Sequence, residues 1–386
     1  MTTAIGESKK SASKKVETNP YRPWAARFWH GMRFGTWIAL LARNRFKVHP
    51  LRWGLAATVS TASIVNSLAS PIQTAIYGRR IRRTQITEAP IFIIGHWRSG
   101  TTLLHELMVL DERFTYPTTL ECFIPNDFMV ISWLVRWMKF LLPAQRPMDN
   151  MITGWDRPQE DEFALLNMGV LTPYLKMAFP NEPRNYLEYL DLSDLPPEEL
   201  DGWKEAMLWF LQSITRRTPK RIVLKSPPHT ARIKVLLEMF PDARFVHIVR
   251  DPYVLFPSNV KLWKTLYKFQ ALQEPKYKGL EEYVFTCFEH MYRAFEEQRQ
   301  LLDPARIYEV RYEDLVRDKV GQMRSMYEHL ELGNFAAVLP KLEEYLTSVQ
   351  DYKTNRYEID PELREVIDRR WGPFMRRYGY CQPGTE

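Results

Sequence analysis

Arg98, Ser99, Gly100, Thr101 and Thr102 stand together in "APIFIIGHWRSGTTLLHELMVLD", residues 89–111. A guanidinium, hydroxyls and a glycine where a loop enters a helix suit one task, holding an anion. The first N–H groups of a helix have no partner within it, and the helix dipole adds partial positive charge at that end. Arg98 can fork onto phosphate or sulfonate oxygens without a metal ion. The stretch lacks the Gly-Lys-Ser or Gly-Lys-Thr element of nucleotide triphosphatases: Thr101 follows Gly100 directly, so no metal site is expected. Two further cations fall in comparable places. Lys225 ends the apolar run "RIVLK", and Arg250 directly follows "RFVHIV", with Ser258 eight residues beyond it.

Residues so far apart in sequence need a frame that gathers them. Ile91, Phe92, Ile93 and Ile94 form a short apolar run between Pro90 and Gly95, the pattern of a strand buried on both faces. After Gly100 the period changes, and Leu103, Leu104, Leu107 and Met108 fall on one side of a helix. Further strands are expected at 221–225, 244–249 and 306–312, each beside a helical pattern. Alternating buried strands and helices predict an α/β fold with a parallel central sheet flanked by helices. Ligands of such sheets lie at the carboxyl ends of the strands. Arg98, Lys225 and Arg250 would meet on that rim, which suits a ligand with more than one anionic group.

Together these stretches resemble the sulfotransferases that use 3′-phosphoadenosine-5′-phosphosulfate (PAPS), in their bacterial, glycan/tyrosyl-like branch. "GHWRSGTTLL" is similar to the family's 5′-phosphosulfate loop and "RFVHIVRDPYVLFPSNVKLW" to its 3′-phosphate segment. "YEVRYEDLVRD", residues 308–318, and "RRWGPFMRRYGY" near the C-terminus resemble later family elements. The resemblance implies a P-loop-like sulfotransferase fold, PAPS as co-substrate with PAP as product, and metal-independent in-line transfer of a sulfonyl group to a hydroxyl. It gives Arg98, Ser99, Gly100, Thr101 and Thr102 to the 5′-phosphosulfate, and Arg250 and Ser258 to the 3′-phosphate. Lys225 matches the lysine of a Lys-Thr-His triplet in cytosolic members. Here the triplet reads Lys225, Ser226, Pro227, so the family histidine is missing from its place and His229 comes two residues late. Transfer needs a base for the acceptor hydroxyl and cations for the leaving charge. In the glycan and tyrosyl branches the base is a glutamate a short way beyond the loop cation, and Glu121, 23 residues after Arg98, is close to that spacing. Glu121 is the first candidate and His229 the second. The triplet Glu160, Asp161, Glu162 opens another helix and reads as a dipole-compensating surface feature.

With 386 residues, 45% of them hydrophobic, the chain can bury a sizeable core. Cys122, Cys287 and Cys381 show no Cys-x-x-Cys spacing, so the expected compartment is reducing and cytoplasmic. The net charge of +7 is unevenly placed, because residues 18–87 hold eleven Arg and Lys and no Asp or Glu. The expected organisation is a disordered leader, residues 1–20, a basic aromatic helical extension, residues 21–87, and a sulfotransferase-like domain, residues 88–386. In the extension, Trp24, Phe28, Trp29, Phe34, Trp37 and Trp53 are interspersed with arginines. That composition suits peripheral contact with the anionic inner face of a membrane, or packing onto the main domain. Residues 54–70 read as too short and too rich in Ser, Thr and Asn for a membrane span. Nucleic acid is not an expected partner, since the basic stretch carries no binding motif and the chain from residue 88 on is net acidic. The acceptor is left as a lipid, sterol, phenol or glycan hydroxyl, with Phe123, Trp133, Trp137, Trp155 and Tyr174 as candidate pocket residues. Two alternatives stay open: a metal-dependent P-loop kinase, from the same structural superclass, and, from a different class, a non-catalytic, membrane-associated nucleotide binder.

Overall fold

The computed structural model describes residues 21–22, 24–143, 145, 151–348 and 359–381; the leader, residues 1–20, lies outside them. Five strands form one sheet: β1 (Ile91–Ile94), β2 (Phe114–Thr115), β3 (Arg221–Lys225), β4 (Arg244–Val249) and β5 (Ile307–Arg311). Their order is β2-β3-β1-β4-β5, and every neighbouring pair is parallel. The edge strand β2 went unread in the sequence because two residues carry no periodicity. From β1 the chain fills one side of the sheet and then crosses to the other for β4 and β5. The carboxyl end of β1 lies at that reversal, where open parallel sheets bind ligands.

Successive strand residues point to opposite faces. Phe92 and Ile94 enter one core with Leu224, Phe245 and Val249, while Ile91 and Ile93 enter the other with Val223, Val246 and Ile248. Both faces of β1 are therefore covered, which explains its unbroken apolar run.

The helices that matter for the site are α1 (Phe34–Arg43), α2 (Trp53–Arg82), α3 (Thr101–Met108), α4 (Thr119–Phe123), α5 (Phe128–Trp137) and α6 (Asp161–Met168). The N-terminal extension is built into the body of the protein. Trp29, Trp37, Leu40 and Val59 share one core with Phe92 and Ile94. Trp29 Nε1 donates to the carbonyl of Gln270 (2.6 Å), and Arg27 Nε to that of Phe269 (2.7 Å).

Residues 54–70 prove to be part of one helix of 30 residues, and with its first turn it is long and apolar enough to cross a membrane by length and composition. Several of the polar residues that obscured it in the sequence face the protein, although Thr58 and Thr61 are exposed. Ser63, Asn66, Ser70 and Gln73 are buried, and Asn66 Nδ2 donates to the carbonyls of His30 (2.7 Å) and Met32 (3.1 Å).

Candidate active site

Between β1 and α3 the backbone turns left-handed at Arg98 (φ 71°) and again at Gly100 (φ 110°). Glycine is required at the second position, because a Cβ on Gly100 would come within 2.4 Å of the Tyr312 ring. The loop is braced from the ends of the neighbouring strands. Thr230, beyond β3, accepts from the N–H of Gly95 (2.7 Å), and Asn259, beyond β4, donates to the carbonyl of Trp97 (2.7 Å). Arg250 leaves β4 and donates to the carbonyl of Arg98 (3.0 Å), with its guanidinium 4.1 Å from the centre of the Tyr312 ring. Arg98 donates from Nε to Ser258 Oγ (3.0 Å).

Arg98, Arg250 and Ser258, 160 positions apart at the extremes, thus share one corner beside the first turn of α3. Ser99 Oγ in the same loop is buried and has no hydrogen-bond partner among the described residues. Two guanidinium groups, several hydroxyls and a helix N-terminus can hold a ligand with two anionic groups. Tyr312 belonged to a motif without an assigned task; its role as the floor under Gly100 depends on a contact that no spacing reveals.

Lys225 stands at the end of β3 as expected, but it is buried, and its Nζ lies 2.6 Å from Glu160 Oε1. Here the reading of Glu160, Asp161 and Glu162 as surface charges is corrected. All three are buried, and each faces a basic side chain from the end of β3 or the chain just past it. Beside the Lys225–Glu160 pair, His229 Nε2 lies 2.6 Å from Asp161 Oδ2, and Arg232 grips Glu162 with two bonds of 2.6 and 3.0 Å. The signal was present in the sequence: Phe163, Ala164, Leu165 and Leu166 make α6 apolar all round, and such a helix is buried, first turn included. Glu160 differs from its neighbours. It keeps 8% of its surface while Asp161 and Glu162 keep none. Its other oxygen, Oε2, accepts from the Tyr174 hydroxyl, which in turn accepts from Trp97 Nε1 in the loop (2.8 Å). Burial and the charge of Glu160 hold the Tyr174 phenol well above its usual range, so it stays a donor.

Both sequence candidates for the base sit in places that favour a structural task. Glu121 is sealed at 0% exposure in α4. Its Oε2 accepts from the N–H (2.8 Å) and hydroxyl (2.6 Å) of Thr118, closing a capping box, and Oε1 lies 3.0 Å from Arg217. Burial pushes its pKa up, against the pull of Arg217. Glu121 thus has a structural task in the Thr-x-x-Glu cap beside the spacing from Arg98 that singled it out. His229 is likewise at 0% exposure, packed edge-on against Phe92 and Trp203. For its partner Asp161, burial opposes ionisation, yet His229 brings the carboxyl below its usual range.

A cleft opens beside this anion-binding corner. Phe28, Phe123, Leu142, Met151, Ile152, Leu266 and Phe269 give it apolar walls, and Thr102, Glu106, Arg157 and Gln159 line its polar part. Glu106, one turn beyond Thr102 on α3, faces Arg157 (3.1 Å) and was not singled out in the sequence. Of the five aromatic candidates, Phe123 lines the cleft, Trp155 packs edge-on against it (5.9 Å), and Tyr174 braces the loop. Trp133 and Trp137 face outward on α5.

Residues 90–336 match the sequence profile of the sulfotransferase family. The chain is 48% identical over 360 residues to the omega-hydroxy-beta-dihydromenaquinone-9 sulfotransferase of Mycobacterium bovis, with 93% of each chain covered. The same identity and coverage hold for its counterpart from Mycobacterium tuberculosis. Among solved structures, the fold is similar to a sulfotransferase from Mycobacterium avium, with a TM-score of 0.66 at 18% identity over 90% of this chain and 96% of that one. A sulfotransferase from Mycobacterium tuberculosis H37Rv gives a TM-score of 0.63 at 17% identity over 91% and 94% of the two chains.

Proposed function

Because this chain belongs to the sulfotransferase family and is an enzyme of that kind, we propose that it moves the sulfonyl group of PAPS to a hydroxyl of a lipid acceptor, in line and without a metal ion. The observation that carries this reading is the double position of Thr102. It lies in the first turn of α3, at the anion-binding corner, and it also lines the apolar cleft. A charged donor and an apolar acceptor would meet there.

In this reading the amides and hydroxyls from Arg98 to Thr102, with Ser99 and Gly100 between them, hold the 5′-phosphosulfate, and Arg250 and Ser258 hold the 3′-phosphate. PAPS supplies the sulfonyl group, and PAP carries away the negative charge. Arg98 and Lys225 are the cations that stabilise that charge. The base is Glu160. It is the carboxylate that touches Lys225, it is tied to the loop through Tyr174 and Trp97, and its neighbour Gln159 lines the cleft. Glu121 and His229 are positioning residues, the one fixing α4 and the other fixing α6 against β3.

The relative from Mycobacterium bovis is named for an omega-hydroxylated menaquinone. At 48% identity, with an apolar cleft leading to Thr102, the same acceptor class is assigned here: an isoprenoid quinone or similar lipid with a terminal hydroxyl. Its three cysteines are free, which supports a reducing, cytoplasmic setting, with residues 18–87 in peripheral contact with the inner face of a membrane.

The donor assignment is tested by calorimetry. Arg250→Ala is expected to weaken PAP binding by about 1.5–3 kcal/mol, the scale of a lost bond to a charged group. The loss should largely vanish with the same nucleotide lacking its 3′-phosphate. Equal losses for the two ligands would mean that Arg250 acts only by bracing the loop at Arg98.

A further inference from the structure

The long helix α2 leaves an apolar stripe open along its middle. Its buried face mixes Ser63, Asn66, Ser70 and Gln73 with Val59, Ala69 and Ile81, whereas its outward face carries Ile64, Val65, Leu68, Ile72 and Ile76, all of them 48% exposed or more. At 100° per residue those five side chains fall within an arc of about 120°. A surface helix normally turns such a stripe toward the core. Helix α5 packs beside α2, where the N–H of Met129 donates to Gln73 Oε1 (2.8 Å), and it presents Trp133 and Trp137 at 65% and 83% exposure. The chain leaving α5 exposes Phe140 and then enters the cleft wall at Leu142 and Pro143. Ile152, another lining residue of the cleft, is itself 62% exposed, and its neighbour Thr153 donates to the carbonyl of Pro143. The apolar surface therefore runs from the outer face of α2 to the mouth of the cleft.

We propose that this surface is a bilayer-docking face: α2 lies flat in the headgroup region of an anionic membrane, α5 anchors its tryptophans there, and the cleft opens toward the lipid. This rests on the reading of the acceptor as a lipid. Length and composition alone would let α2 span a bilayer, but its inner face packs on the protein from Val59 to Ile81, so the helix cannot leave the body to cross. It lies on the membrane instead. Charge selects the occupant. Residues 18–87 carry eleven cations and no carboxylate, and Arg79, Arg80, Arg82 and Arg83 stand exposed at the end of α2. A second copy docked on the same face would bring like charges together, whereas phosphatidylglycerol headgroups complement them.

The test is flotation of the full chain with vesicles of phosphatidylcholine, with and without phosphatidylglycerol, in the absence of donor and acceptor. The chain should float with the anionic vesicles and stay behind with the neutral ones. The double variant Leu68→Glu, Ile72→Glu changes only exposed side chains, so the fold should be kept. It is expected to cut flotation by at least about tenfold, the effect of placing charge on the buried face of an interfacial helix. Its affinity for PAP should match that of the parent chain. Undiminished flotation of the variant overturns the proposal. So does a parent chain that stays behind and sediments as a dimer dissociated by the same substitutions, which would give the face to a second copy. Since the assay reads vesicle binding alone, a negative result leaves the sulfonyl-transfer reading standing, and a parent chain that binds no PAP would count against that reading and not against the docking face.

Discussion

Replacing Glu160 by Gln is expected to lower turnover by about two to four orders of magnitude, the usual contribution of a positioned base, with PAP affinity close to that of the parent chain. The amide keeps the shape and can still accept from Tyr174, but it cannot take the acceptor's proton. Lys225 would lose a charged partner at 2.6 Å and keep a polar one. Glu121→Gln and His229→Asn are expected to behave differently. Each weakens a buried structural contact, the Thr118 cap and Arg217 pair in one case and the Asp161 pair in the other, so stability should fall while turnover per folded molecule changes little. Single-turnover rates at matched folded fraction separate the outcomes. A large rate loss in Glu121→Gln, with Glu160→Gln near normal, would return the base to the position that sequence spacing favoured.

The second large effect is expected at Arg232. Its guanidinium is fully buried, bound twice to Glu162, donating to the carbonyl of Leu190 (3.1 Å) and lying 5.2 Å from the Trp203 ring centre. Arg232→Met should cost about 3–5 kcal/mol, because it strands the Glu162 carboxylate in the core without a counter-charge. Adding Glu162→Leu should recover most of that loss, since an apolar pair replaces an ionic one of similar volume. The exposed pair Arg377–Glu296 makes a control, and Arg377→Ala should cost less than about 1 kcal/mol. Urea denaturation measures all of these. A cost below about 1 kcal/mol for Arg232→Met would show that the joint between α6 and the end of β3 is not what holds Glu160 and Lys225 in place.

How much of this was legible beforehand follows from where each signal lies in the chain. β1, the anion loop and α3 are contiguous, so the change from an unbroken apolar run to helical periodicity announced them. Arg98, Arg250 and Ser258 could be brought together because parallel strands place their carboxyl ends on one rim, and the structure joins them by bonds of 3.0 Å. The facing of Glu160, Asp161 and Glu162 toward Lys225, His229 and Arg232 was not read, because each half looked ordinary alone and only the packing of the start of α6 on the chain at and after the end of β3 pairs them. Glu121 stays ambiguous in the sequence for a local reason: a helix cap and a catalytic carboxylate can share one spacing. In α2 buried Ser63, Asn66 and Ser70 interrupt the apolar residues, so hydropathy along residues 54–70 understated the helix. The cleft was out of reach because its walls come from the extension, α3, α4, the stretch after α5 and the helix Pro252–Gln270. The kinase and non-catalytic alternatives fall with membership of the sulfotransferase family.

The central claim is sulfonyl transfer from PAPS to a lipid hydroxyl, and the most direct measurement follows both products at once. The purified full chain is incubated with PAPS carrying labelled sulfur and an omega-hydroxylated isoprenoid quinone in detergent, with a chelator present throughout. PAP and labelled sulfoquinone should appear in equal amounts, and the quinone lacking its terminal hydroxyl should give neither. Absence of PAP with the hydroxylated lipid, or equal PAP release with and without the hydroxyl, would contradict the account.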